Sequence, residues 1–98
     1  MTINQEMNGS ALTLTLEGRL DTLTSPQLEE KLNASLEGIC DLVLDLEKLD
    51  YMSSAGLRVL LAAQKRMNQQ GSMKLLHVNE VINEIFEVTG FSDILTIE

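Results

Sequence analysis

An α/β fold is predicted, built on a mostly parallel sheet with one antiparallel edge, and three observations predict it. Residues 2–7 and 11–17 flank Asn8-Gly9, a pair whose positive backbone angles suit a tight hairpin. Leucines take every second position in 11–17 and again in 41–46, the signature of strands buried on one face. After the hairpin, strand patterns alternate with helix-period segments, which calls for crossover connections and hence parallel pairing. Because the strands alternate and are not continuous apolar runs, the helices are expected mainly on one face of the sheet.

The elements follow in order. In the second strand Leu12, Leu14 and Leu16 point one way while Thr13, Thr15 and Glu17 point the other. Gly18-Arg19-Leu20-Asp21 reads as a turn, and Thr24-Ser25-Pro26 opens a helix over 25–37, with a hydroxyl to cap the free amides and proline in the first turn. Leu28, Leu32, Ser35 and Leu36 form its inner stripe and Gly38 ends it. A third strand covers 41–46, with Leu42, Leu44 and Leu46 on one side, and 47–52 reads as a linker. The next helix runs from Ser54 to about Gln70, with Leu57, Leu60, Leu61 and Met67 on one stripe and Gly71 as its stop. A fourth strand spans 73–78. Asn79 then caps a helix whose expected buried positions are Val81, Ile82, Ile85 and Phe86, and Gly90 ends it. Residues 94–97 read as a short last strand or an extended edge segment.

With 98 residues the chain suits one domain, 1–98, and no repeat or linker divides it. Seven basic against fifteen acidic side chains give a charge of -8, a field that repels nucleic acid and anionic membranes and suits a basic protein partner. No apolar run approaches the roughly 20 residues of a membrane helix. The first residues carry no signal-peptide pattern, so a cytoplasmic location is expected. The single cysteine, Cys40, has no second thiol to pair with, in keeping with a reducing compartment.

Chemistry concentrates between Leu42 and Leu61, where a strand leads through Asp50-Tyr51-Met52 to Ser53-Ser54-Ala55-Gly56 at a helix start. The first amides of a helix lack internal partners and carry partial positive charge, so they suit a capping oxygen or a phosphate. Ser53 and Ser54 are placed for either role, and simple N-capping by one of them is the structural reading. Ser54-Ala55-Gly56 also partly matches a hydrolase nucleophile elbow, but Met52 stands in place of the leading glycine. His77, the one available base, is expected at the same sheet edge as Ser54; a lone strand-end histidine is usually structural, and no enzyme is expected. Asp21 is read as fixing its loop through backbone amides and Asp45 as a solvated strand-face residue, not as a paired acid site. No Walker-type loop is present.

Asp45, Tyr51-Met52 and Ser54-Ala55-Gly56-Leu57 resemble the signature of the STAS domain family, in which a strand with an aspartate leads to Asp-Ser-Ser/Ala-Gly-Leu at a helix start. Gly18-Arg19-Leu20-Asp21 and Thr24-Ser25-Pro26 resemble the family's Gly-x-Leu-Asp segment and first helix start, so the resemblance covers essentially the whole chain. It is similar to the members that act as anti-sigma factor antagonists. That resemblance implies a serine-kinase anti-sigma factor as partner, release of a sigma factor by the unphosphorylated form, and resetting by a serine phosphatase, with no cofactor on this chain. It implies phosphorylation at Ser54, with Ser53 as the alternative because Ser53 stands where the family usually has aspartate. The implied contact surface comprises Asp21, Met52, Ser53, Ser54, Gly56 and Leu57. STAS domains also serve as non-enzymatic subunits of lipid or anion transport assemblies, which is the alternative role. On physical grounds alone, a phosphate here is expected to block an interface with little internal rearrangement.

Overall fold

A computed structural model describes residues 1–98. The hairpin strands β1 (Thr2–Asn8) and β2 (Ala11–Leu20) are followed by α1 (Ser25–Ser35), β3 (Asp41–Met52), α2 (Ser54–Gln70), β4 (Ser72–Leu76) and α3 (Glu80–Thr89). A single turn of 3-10 helix, Phe91–Asp93, leads into the tail. The sheet order is β1-β2-β3-β4, with β1 antiparallel to β2 and the remaining pairs parallel. Helices α1 and α2 are the crossovers that parallel neighbours require.

Register explains the core. Leu12 lies opposite Leu42 and Leu42 opposite Met73; the next row joins Leu14, Leu44 and Leu75. These rows are fully buried under Leu28 and Leu32 of α1, Leu60 and Met67 of α2, and Ile82 and Phe86 of α3, all in one cluster. The opposite sheet face carries Thr13, Thr15, Val43 and Asp45, half-buried, and exposed Lys74, so the helices do gather on one side. The tail closes the β4 edge: Leu75 N–H donates to Thr96 O and Glu98 N–H to Leu75 O, each at 2.9 Å, in a parallel bridge between Leu75 and Ile97. No helix is long and apolar enough to cross a membrane.

Three boundaries differ in kind from expectation, while α1 ends only two residues early, at Ser35. Gly18–Leu20 is not a turn but the last part of β2, and 47–52 is not a linker but the second half of β3. The two halves stay paired through two bulges, where Thr15↔Asp45 is followed by Glu17↔Lys48 and Gly18↔Leu49 by Arg19↔Tyr51. β4 ends at Leu76, and His77 turns the chain with φ 57, a left-handed conformation that histidine, like asparagine and aspartate, adopts more readily than most non-glycine residues. Val81, expected inside, lies 58% exposed because α3 sits at the rim and buries only Ile82 and Phe86 fully.

Candidate functional site

The extended β2–β3 pair delivers the serine segment. Leu20 and Met52 end the two strands side by side, and the Ser53 N–H donates to Leu20 O at 2.9 Å, so the start of α2 is pinned to the end of β2. Ser53 is the N-cap residue, with extended backbone, and its C=O accepts the first helical bond from Leu57 N–H at 3.0 Å. Neither serine caps through its side chain: the Ser53 Oγ exposes less than 1 Å² and has no partner, while Ser54 is exposed. The first turn of α2 carries no acidic residue, leaving its free amides uncompensated.

Gly56 has a steric reason. A Cβ there would stand 2.7 Å from Leu20 Cγ and 3.1 Å from Leu20 O, so only glycine lets α2 start this close to β2. The expected contact surface needs correction on this point. Met52 and Leu57 are 1% and 6% exposed, and Gly56 is buried, so these residues hold the segment in place and offer a docking protein almost no surface. Of the expected surface, Ser54 is exposed and Asp21 and Ser53 are half-buried.

Asp21 organises the neighbouring loop. Its Oδ1 accepts the Leu23 and Thr24 amides at 3.0 and 3.1 Å, and Thr24 Oγ1 accepts the Asp21 N–H at 2.9 Å while donating to Arg19 O at 2.7 Å. The Thr24 hydroxyl therefore braces the loop and does not cap α1. The Thr24 amide holds the Asp21 carboxyl below its usual range; partial burial opposes this, and the Leu23 amide, Thr24 hydroxyl and Arg19 charge reinforce it. This loop presents Leu23, 88% exposed, and beside it Arg19 lies over the Tyr51 ring at 4.4 Å. Sequence reasoning missed Leu23 and Arg19 as surface features. Arg19 and Tyr51 become opposite neighbours only through the second bulge, whereas an isolated leucine between Thr22 and Thr24 was visible.

His77 is not beside Ser54. Leu76 pairs with Asp45, and β3 runs on through residues 46–52 before α2 begins, on the order of 20 Å of extended chain. The imidazole Nδ1 instead meets Asp45 Oδ1 at 2.9 Å, with Glu47 Oε2 at 4.0 Å, so Asp45 is not merely solvated. Asp45, Glu47 and His77 place donor atoms within 4.8 Å of one another, which a divalent cation could share, but the ion pair alone accounts for their proximity. The Asp45 hydrogen bond, then the Asp45 charge, raises the His77 pKa above 6.5, partial burial opposing and Glu47 adding. For Asp45, burial pushes upward but is outweighed by hydrogen bonds from His77 and the Glu47 amide and by the charges of His77 and Lys48, so its pKa falls below 3.8.

The contribution of a raised histidine is complete below 6.5 and fades as pH climbs through its folded value. That of a lowered carboxyl is complete above 3.8 and fades on acidification through its folded value. The pair thus stabilises most between 3.8 and 6.5. Asparagine tolerates the left-handed backbone of residue 77. His77→Asn should therefore lose more stability at about pH 5.5 than at about pH 8.5 in urea titrations; equal losses would refute the ion pair.

The fold and the serine-bearing helix start define an α/β domain that presents an exposed hydroxyl at the mouth of a helix. The family model "STAS domain" matches residues 2–98, and the chain belongs to that family. Two curated relatives carry the name anti-sigma factor antagonist. The chain is 40% identical over 84 residues to the putative anti-sigma factor antagonist BtrV of Bordetella bronchiseptica, covering 84% of this chain and 72% of that one. It is 32% identical over 96 residues to the anti-sigma-B factor antagonist of Bacillus subtilis, covering 97% and 88%. Its fold matches the anti-sigma factor antagonist SpoIIAA in the unphosphorylated form with TM-score 0.85 at 19% identity, over 99% of this chain and 88% of that one. The Bacillus SpoIIAA in the phosphorylated form matches with TM-score 0.77 at 19% identity, over 99% and 91%.

Proposed function

We propose that this chain binds an anti-sigma factor through the surface around the α2 start, and that phosphorylation of Ser54 by that serine-kinase partner ends the binding, with a serine phosphatase resetting it. The observation that carries this reading is the contrast within the serine pair: Ser54 is exposed at the first position of α2, while the Ser53 hydroxyl is shut off from solvent. A kinase needs an accessible oxygen, which favours Ser54 over Ser53. The docking rim comprises Ser54, the Asp21 loop with Leu23, and the shallow groove between α1 and α2 lined by Thr22, Pro26, Glu29, Ala55, Arg58 and Val59. A partner packed over this rim meets about -1.5 to -2 added charges when Ser54 is phosphorylated, and desolvating them opposes docking.

Incubation with the serine-kinase partner, ATP and magnesium should place one phosphate on Ser54 by mass spectrometry. Ser54→Ala should bind the partner unmodified, and Ser54→Asp should bind it at least about tenfold more weakly by calorimetry, or about 1.4 kcal/mol. Phosphate on another residue, equal binding by Ser54→Asp, or co-purification with a transport ATPase in place of a kinase would overturn the proposal.

A further inference from the structure

We propose that Arg58 is the internal counter-charge of the Ser54 phosphate: after modification its guanidinium, one helical turn along α2, closes on the phosphate and fixes it against the helix end. This rests on the Ser54 reading above and adds to it the residue that holds the phosphate in place. Residues four apart on a helix are surface neighbours, and Ser54 and Arg58 are both exposed on α2. Arg58 takes part in none of the ion pairs of the unmodified chain, which use Arg19, Lys74 and His77. Neither the acidic residue that shares its groove nor the carboxylate of the neighbouring loop pairs with it. Glu29 of α1 lines the same groove without pairing, and the Asp21 carboxylate is occupied by the Leu23 and Thr24 amides.

A phosphate on Ser54 therefore meets an uncommitted guanidinium, whose planar fork donates to two phosphate oxygens at once, and a first helical turn with neither an acidic residue nor a side-chain cap. The consequence for switching is specific. A partner that docks on the unmodified surface cannot recover affinity by offering its own cation, because the anion is already paired within the chain. The phosphate then acts as a fixed, bulky block instead of an attractive charge.

The test uses the full chain with phosphoserine installed at position 54 during translation, so no kinase is needed. Phosphorus NMR across pH should give a second phosphate pKa lower by about half a unit in the otherwise unchanged chain than in Arg58→Gln. Arg58→Lys, a point charge without the fork, should fall between them. Arg58 is exposed, so Arg58→Gln without phosphate should keep its melting temperature, which separates charge pairing from a folding defect. Superimposable titrations of the two phosphoproteins would overturn the proposal. A kinase that ignores Ser54 would sink the preceding proposal while leaving this titration unaffected, so the two failures are distinguishable.

Discussion

Gly71→Ala is expected to destabilise the chain by about 3–5 kcal/mol, through overpacking against rigid atoms and loss of the hydrogen bonds they make. A Cβ at residue 71 would stand 1.8 Å from Cys40 O, 2.6 Å from Cys40 C and 2.8 Å from Cys40 Cα. All three are backbone atoms, so no rotamer change relieves the overlap. The backbone at Gly71 is extended, with φ 169, and carries no strain of its own; the requirement is space alone. Separating the two segments breaks the Ser72 N–H to Cys40 O bond of 2.8 Å, which sets the start of β4 beside β3. It also strains the Gln70 side chain, whose Nε2 donates to Leu36 O and Ile39 O at 2.7 and 2.6 Å. The control is Gly38→Ala, where a Cβ meets nothing but φ is +81, so the cost is the left-handed backbone alone, about 1–2 kcal/mol. Urea midpoints of the two variants should rank in that order; a loss at Gly71 no larger than at Gly38 would contradict the packing argument.

The same closeness of backbones explains what was and was not legible in the sequence. Where a strand keeps period two, as at Leu12-Leu14-Leu16 and Leu42-Leu44-Leu46, alternation reported both the strand and its buried face. Beyond Leu46 the buried positions are Leu49 and Met52, three apart each time. Each interval of three is two residues of strand plus one absorbed by a bulge, and a spacing of three carries no strand signal. That is why 47–52 read as a linker, and why the apposition of Arg19 with Tyr51 was hidden. The caps divide similarly. Asn79 was legible because its job is local: Oδ1 accepts the Ile82 amide at 2.9 Å. Its Nδ2 bond to Leu49 O, which ties α3 to the far half of β3, was not. At the serine pair, sequence placed two hydroxyls at a helix start. Which of them faces solvent depends on how Leu20 and Met52 end their strands, and no local pattern encodes that.

The second large effect is expected at Gly56, where stability and site geometry are joined. Gly56→Ala places a methyl 2.7 Å from Leu20 Cγ and 2.9 Å from Cδ2, and Leu20 is fully buried, so its side chain has no open space to move into. Alanine in place of glycine in a helix is worth up to about 1 kcal/mol, less in the first turn, whereas overpacking costs about 1–3 kcal/mol. The net expectation is a loss of about 2 kcal/mol. Leu20→Ala alone should cost about 3–5 kcal/mol as a cavity, yet it removes the atoms that the new methyl strikes. The double variant should therefore be more stable than the sum of the two losses predicts by about 1 kcal/mol or more. Strict additivity would mean that α2 simply shifts outward and that Leu20 does not set its position. Leu20 O also accepts the Ser53 N–H, so the displacement in Gly56→Ala should move the amide resonances of Ser53 and Ser54 and weaken partner binding beyond the stability loss. A glycine two residues from the proposed phosphorylation site then acts without touching the partner, by fixing how far the Ser54 hydroxyl stands from the end of β2.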